Sequence, residues 1–202
     1  MMRTYISMVV VIAFVAGLMV SGCASGKRPA EETIKAAEQA IQGAKAEGMK
    51  VVPDQIQSLE AALNSAKDKF AKKDYKAALT EAQAIPGKVK EVLEAAKSKK
   101  EELTKAWTNL SQSLPKIMDS IKKKIDTLSK SKKLPKNIPA QKFAEAKTMF
   151  SEAMKEWGVS QENFKAGNLS EAVTKANTVK EKAVQILQAL KMKMPSPEGA
   201  KP

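Results

Sequence analysis

The sequence predicts an all-α protein, an antiparallel bundle of long amphipathic helices in which two helix-corner-helix hairpins are joined by a long kinked helix. Two observations carry that expectation. Apolar residues recur at spacings of three and four through nearly the whole chain beyond residue 30, the period of one buried helical face. The composition is 28% charged and only 4% aromatic, with alanine, lysine, glutamate and leucine dominant, which favours long helices over sheets.

The elements follow in order. Ile34, Ala37, Ile41 and Ala44 form a first stripe, with Glu31 and Glu32 at its positive end and Gly48 as terminator. Val51-Val52-Pro53-Asp54 reads as a turn in which Asp54 caps a second helix, whose stripe is Ile56, Leu59, Leu63, Ala66 and Phe70. Lys72-Lys73-Asp74 interrupts it. From Tyr75 a third stripe runs through Ala78, Leu79, Ala82, Ile85, Val89, Val92 and Ala96, and resumes at Leu103, Trp107, Leu110, Leu114, Ile117, Ile121, Ile125 and Leu128. As one rod this is ~80 Å long. Pro86 and Pro115 each remove a backbone donor and are expected to kink or break it, giving either one bent helix or two stacked ones.

The segment from Lys133 to Pro139 is the clearest loop, and the single helical domain, residues 31–194, is expected to divide there into halves 31–132 and 138–194. A fourth helix carries Phe143, Ala146, Phe150, Met154, Trp157 and Phe164, and a fifth Leu169, Ala172, Ala176, Val179, Ala183, Ile186 and Leu190. Residues 195–202 read as a disordered, proline-rich tail. Phe70, Phe143, Phe150, Trp157 and Phe164 are expected in the core, as is Trp107, for which a partner site is the competing reading.

The halves echo one another. Phe70, Asp74, Tyr75, Ala78, Leu79 and Ala82 recur 94 positions later as Phe164, Asn168, Leu169, Ala172, Val173 and Ala176. This corner resembles a tetratricopeptide-type turn, which implies that Asp74 or Asn168 caps the second helix and that the alanines admit close helix approach. Tetratricopeptide arrays repeat about every 34 residues, so the two distant copies read as two helical hairpins and not as an array with a peptide groove. Hairpins of this kind also resemble uncharacterised small envelope lipoproteins rich in alanine and lysine.

The N-terminus has the three-part layout of a secretory signal: Arg3, an uncharged apolar run from Ile6 to Val20, and the small residues Ser21, Gly22, Ala24 and Ser25 around Cys23. The run is shorter than the ~20 residues a membrane-spanning helix needs. Val20-Ser21-Gly22-Cys23 resembles the lipobox of bacterial lipoproteins. The resemblance implies that residues 1–22 are a signal peptide, cleaved between Gly22 and Cys23, and that the Cys23 sulfur carries a diacylglyceryl group, commonly with a third chain on the amine. Several chains anchor stably, at ~0.8 kcal/mol per buried methylene. Residues 23–30 then read as the lipidated cysteine and a polar tether, with Lys27 and Arg28 beside the headgroups. With alanine and serine following Cys23, the resemblance implies the outer membrane, facing the periplasm, in a cell with two membranes. Cys23 is the only cysteine, so no intramolecular disulfide can form.

Charge and chemistry narrow the function. Removing residues 1–22 takes Arg3 from the 35 Lys+Arg and nothing from the 22 Asp+Glu, leaving a net charge of +12. Arg28 is then the only arginine, which disfavours bidentate phosphate or base recognition, and export disfavours nucleic acid further. The chain has no histidine, so Ser-His and Cys-His arrangements are excluded and the commonest neutral metal ligand is missing. Glu31-Glu32 and Glu101-Glu102 are adjacent on helices and diverge by about 100°, reading as solvated faces. No catalytic residue, metal site or cofactor is expected. The notable surface feature is Lys116, Lys122, Lys123, Lys124, Lys130, Lys132, Lys133 and Lys136, set against Asp119 and Asp126 alone. That +6 segment reads either as a dock for anionic lipid, lipopolysaccharide, cell-wall polymer or an acidic protein, or as a solubilising helix end. The sequence as a whole reads as a lipid-anchored, non-enzymatic structural or protein-interaction module of the cell envelope with an envelope protein as partner; its oligomeric state stays open.

Overall fold

The computed structural model describes residues 26–194, which form five helices and no strands. They are α1 (Lys27–Gly48), α2 (Pro53–Ala71), α3 (Tyr75–Lys130), α4 (Ala140–Lys165) and α5 (Leu169–Ala189). The protein is an all-α helical bundle. The expected signal segment, the lipobox-like residues with Gly22 and Cys23, and the expected tail at 195–202 lie outside the described residues.

α1 begins four residues earlier than the expected domain start, so Lys27 to Ala30 are helix and not tether. Pro29 sits in the first turn, where a missing N–H breaks no helical hydrogen bond, and Ala30 is fully buried as the first residue of the stripe. The helix ends at Gly48 as expected, and close packing requires a glycine there: a Cβ would lie 3.2 Å from side-chain carbons of both Val52 and Ile56. α2 is entered differently from expectation. Its N-cap is Val52 with Pro53 first in the helix, so Asp54 lies inside the first turn and acts on the helix dipole.

α3 is one unbroken helix of 56 residues, about 84 Å at 1.5 Å per residue. Neither proline breaks it. Both are exposed, so neither ring takes room from the core; the carbonyl each frees, four residues earlier, belongs to buried Ala82 and to half-buried Ser111. Ile85 and Val89 around Pro86, and Leu114 and Ile117 around Pro115, are all buried, and this packing on either side outweighs a local penalty of ~3 kcal/mol per proline.

The core is divided, but not at the 133–139 loop. One cluster joins α1, α2 and α3 as far as Val92. The other joins α3 from Ala96 onward with α4 and α5. The boundary therefore lies inside α3, and the molecule is two three-helix units in series sharing that helix, each hairpin (α2 with the first half of α3, α4 with α5) completed by a third helix. Val51, in the α1–α2 turn, is buried in the second cluster and Val52 packs against both. Lys100 of α3 pairs with Glu47 of α1 at 3.1 Å, and Lys50 Nζ donates to the Ala166 carbonyl at 3.2 Å. Both contacts brace the junction.

The repeated corner is a repeated backbone. The N–H groups of Lys72, Lys73 and Asp74 donate to the carbonyls of Asp68, Phe70 and Lys69, and those of Ala166, Gly167 and Asn168 donate to Glu162, Phe164 and Asn163. Each pair is shifted by the same 94 positions. This is the Schellman termination, with Lys73 at φ +64° and Gly167 at φ +74°. Asp74 Oδ1 accepts from the Ala77 N–H at 3.1 Å, the expected cap. Asn168 occupies the cap position without capping, and its amide donates back to Asn163 Oδ1 at 3.3 Å. Ala78, Ala82, Ala172 and Ala176 are fully buried, the small residues that let each pair of helices close.

A lysine at positive φ is strained where a glycine is not. Lys73→Gly is therefore expected to raise stability by about 1 kcal/mol, and Gly167→Ala to lower it by a similar amount although nothing lies within 4 Å of its Cβ. Urea titrations of the two variants check both signs.

Candidate functional site

The described chain enters at one end of α3, and part of the predicted lysine cluster lies at the other. At one end, a Cβ on Gly26 would touch Tyr75 Cβ at 3.6 Å, so the chain enters beside the α2–α3 corner, with Lys27 and Arg28 exposed. Cys23 lies three residues before Gly26, a span of at most ~11 Å of chain.

The predicted lysine cluster separates into two groups. Lys116, Lys122, Lys123 and Lys124 lie on the shaft of α3, where Lys122 pairs with Asp126 at 3.1 Å and Lys123 with Asp119 at 2.7 Å. Both acidic residues of the segment are used by these neighbours, in surface pairs worth at most ~1 kcal/mol. Lys130, Lys132, Lys133 and Lys136 lie at the far end of α3 and in the loop after it, all exposed. Sequence reasoning missed that α5 returns to this same end, bringing Lys191 and Lys193 to it across some 55 residues. The signal was present in the antiparallel hairpin itself, since the end of the fifth helix must lie beside the start of the fourth. Lys142, also at this end, is paired with Glu145 at 2.8 Å, and that ammonium holds the Glu145 carboxyl below its ordinary value.

The middle of the molecule is packing. Trp107 stacks on Phe164 with centroids 4.5 Å apart and on Trp157 at 5.5 Å. Both tryptophans are buried. The four phenylalanines expected in the core, Phe70, Phe143, Phe150 and Phe164, are half-buried at its rim. Ser160 is fully buried, and its hydroxyl donates to the Ala172 carbonyl at 2.6 Å; it stands where the first repeat has Ala66. An open groove of about 530 Å³ between Lys50 and the first turns of α5 is lined by Glu171 and Lys175 alike and concentrates neither sign of charge.

Among the described residues no three Cys, Asp or Glu side chains are grouped to hold a metal, and no helix is long and apolar enough to cross a membrane. Glu31 and Glu102 are engaged by Lys35 and Lys99. The shifted titrations belong to helix braces. Lys69 on α2 hydrogen-bonds Glu81 on α3 and holds its carboxyl below the ordinary 4.5. Glu156, then Glu152, on α4 raise the Lys182 ammonium of α5 above 10.5.

A carboxyl held low stabilises the fold above its ordinary range and loses that contribution as pH falls through its folded value; an ammonium held high does the reverse as pH rises. Glu81→Gln is thus expected to flatten the loss of stability in acid below about pH 4.5, and Lys182→Gln the loss in base above about pH 10.5. Denaturation midpoints measured across both limbs check this. No protein-family model matches the chain, and neither a curated protein nor a solved structure matches it.

Proposed function

We propose that the chain is a lipid-anchored lipoprotein of the cell envelope that works without catalysis, as a rod-shaped structural or protein-interaction module. The observation that carries this reading is α3, a single helix of 56 residues running through both cores, with the chain entering at the corner where it starts. A rod held at one end is suited to spacing and presenting, and two three-helix units in series offer length in place of an enclosed cavity. Val20-Ser21-Gly22-Cys23 supplies the anchor, and the residues after Cys23 favour the outer membrane facing the periplasm. The absence of histidine supports a role outside acid–base chemistry, and the near absence of arginine supports a partner other than nucleic acid. The natural partner in this reading is another envelope protein, engaged along the rod. A second reading, an electrostatic binder of anionic envelope material, is favoured by the exposed lysines at the far end.

Intact mass of the chain extracted from native membranes tests the anchor. The expected mass is that of a chain starting at an acylated Cys23, and Cys23→Ala is expected to abolish both the acylation and the membrane association while leaving the helical circular-dichroism spectrum of the domain unchanged. An unacylated or full-length chain in the membrane would overturn the reading.

A further inference from the structure

Lys130, Lys132, Lys133, Lys136, Lys191 and Lys193 are brought to one end of the molecule by three segments: the last residue of α3, the loop after it and the turn that ends α5. All six are exposed and none is ion-paired with a described residue. The acidic groups nearest in sequence to the lysines at 130–136, Asp126 and Glu145, are held by Lys122 and Lys142. Two helix C-termini meet here, and their partial negative charge accounts for a cation in each last turn. It accounts for Lys130, in the last turn of α3, and leaves Lys132, Lys133, Lys136, Lys191 and Lys193 beyond the helices. The platform is fixed from beneath, since Leu128, Ile138 and Leu190 are buried in one core and the Ile138 N–H donates to the Pro135 carbonyl at 2.9 Å.

We infer that this basic tip docks on the anionic phospholipid surface of a bilayer other than the one holding the anchor. The direction of the inference rests on the proposed anchoring at Cys23. Three features select a bilayer. The cations are all lysines, which act as point charges on a field of headgroups and lack the guanidinium fork that builds a dedicated phosphate pocket. Apolar side chains stand among them: Met194 is 48% exposed and Leu134 half-buried, groups that an interface with hydrocarbon beneath it accepts and a hydrated polyanion does not. And α3 runs about 84 Å along its length between the corner where the chain enters and the tip, so an upright molecule carries the tip away from its own membrane. The lysines on the shaft are partly spent on ion pairs.

The test reconstitutes the native, acylated chain in neutral phosphatidylcholine vesicles and adds a second, labelled population. Clustering is expected with vesicles containing phosphatidylglycerol and not with phosphatidylcholine alone, and it should vanish near ~1 M salt, where the screening length is ~3 Å. Reversing Lys130, Lys132, Lys133 and Lys136 to Glu should lower clustering at least about tenfold with incorporation into the first vesicles and the circular-dichroism spectrum unchanged; the milder Lys→Gln set should fall between. Clustering indifferent to lipid charge or to these lysines overturns the inference. So does a chain that incorporates but binds only soluble polyphosphate, or one that binds phosphatidylglycerol only in its own vesicle and lies flat. If the chain does not incorporate into neutral vesicles, the anchoring reading fails instead, and flotation of the wild-type and reversed chains with phosphatidylglycerol vesicles still decides the role of the tip.

Discussion

The buried positions of α3 run Ala78, Ala82, Ile85, Val89, Val92 and Ala96, then Leu103, Trp107, Leu110, Leu114, Ile117, Ile121, Ile125 and Leu128, at steps of three and four on one side of the helix, with Met118 buried beside Ile117. Everything else packs against that seam. Its only gap is between Ala96 and Leu103, where Lys99 and Lys100 are half-buried, and there the core divides. A helix this long is not stable on its own propensity, with two prolines and little capping; it persists because α1 and α2 cover one half and α5, with α4 behind it, covers the other.

The seam also explains why the two hairpins look alike. Ala78, Ala82, Ile85, Val89, Val92 and Ala96 correspond in register to Ala172, Ala176, Val179, Ala183, Ile186 and Leu190, all buried. Two alanines follow each corner, and an alanine recurs further along at Ala96 and at Ala183. The difference at Ala66 and Ser160 is a small one. Ser160 adds one buried hydrogen bond to the α5 backbone where the first repeat has only van der Waals contact.

Most of this architecture was legible in the sequence because a buried helical face writes itself as a period. The stripes, the two corners and the loop at 133–139 were all visible that way. What was not legible depended on context that a period does not carry. Whether Pro86 and Pro115 break α3 is decided by burial of their neighbours, and Asp54 misses the cap because Pro53 claims the first helical position. A loop rich in proline marks where the chain turns and not where the core divides, so the boundary inside α3 showed only as a missing apolar residue. At the candidate site, the lysines of one segment could be counted, but those from the end of α5 join them only through tertiary structure. The proposed anchor rests on a motif alone, Val20-Ser21-Gly22-Cys23, which lies outside the described residues.

The entry of the chain beside Tyr75, at the opposite end of α3 from the 131–139 loop, has a mechanical consequence. Tension applied between Gly26 and that loop pulls α1 along its own axis and against α3, which is loaded in the other direction. The contacts of Ala30, Ile34, Ala37, Ile41 and Ala44 with the bundle are then sheared together, where a load across the helix would peel them one at a time. The segment that continues beyond them is α3 itself, whose backbone carries the force covalently through the junction between the two units. A molecule of this topology resists stretching along its length and yields first to forces from the side.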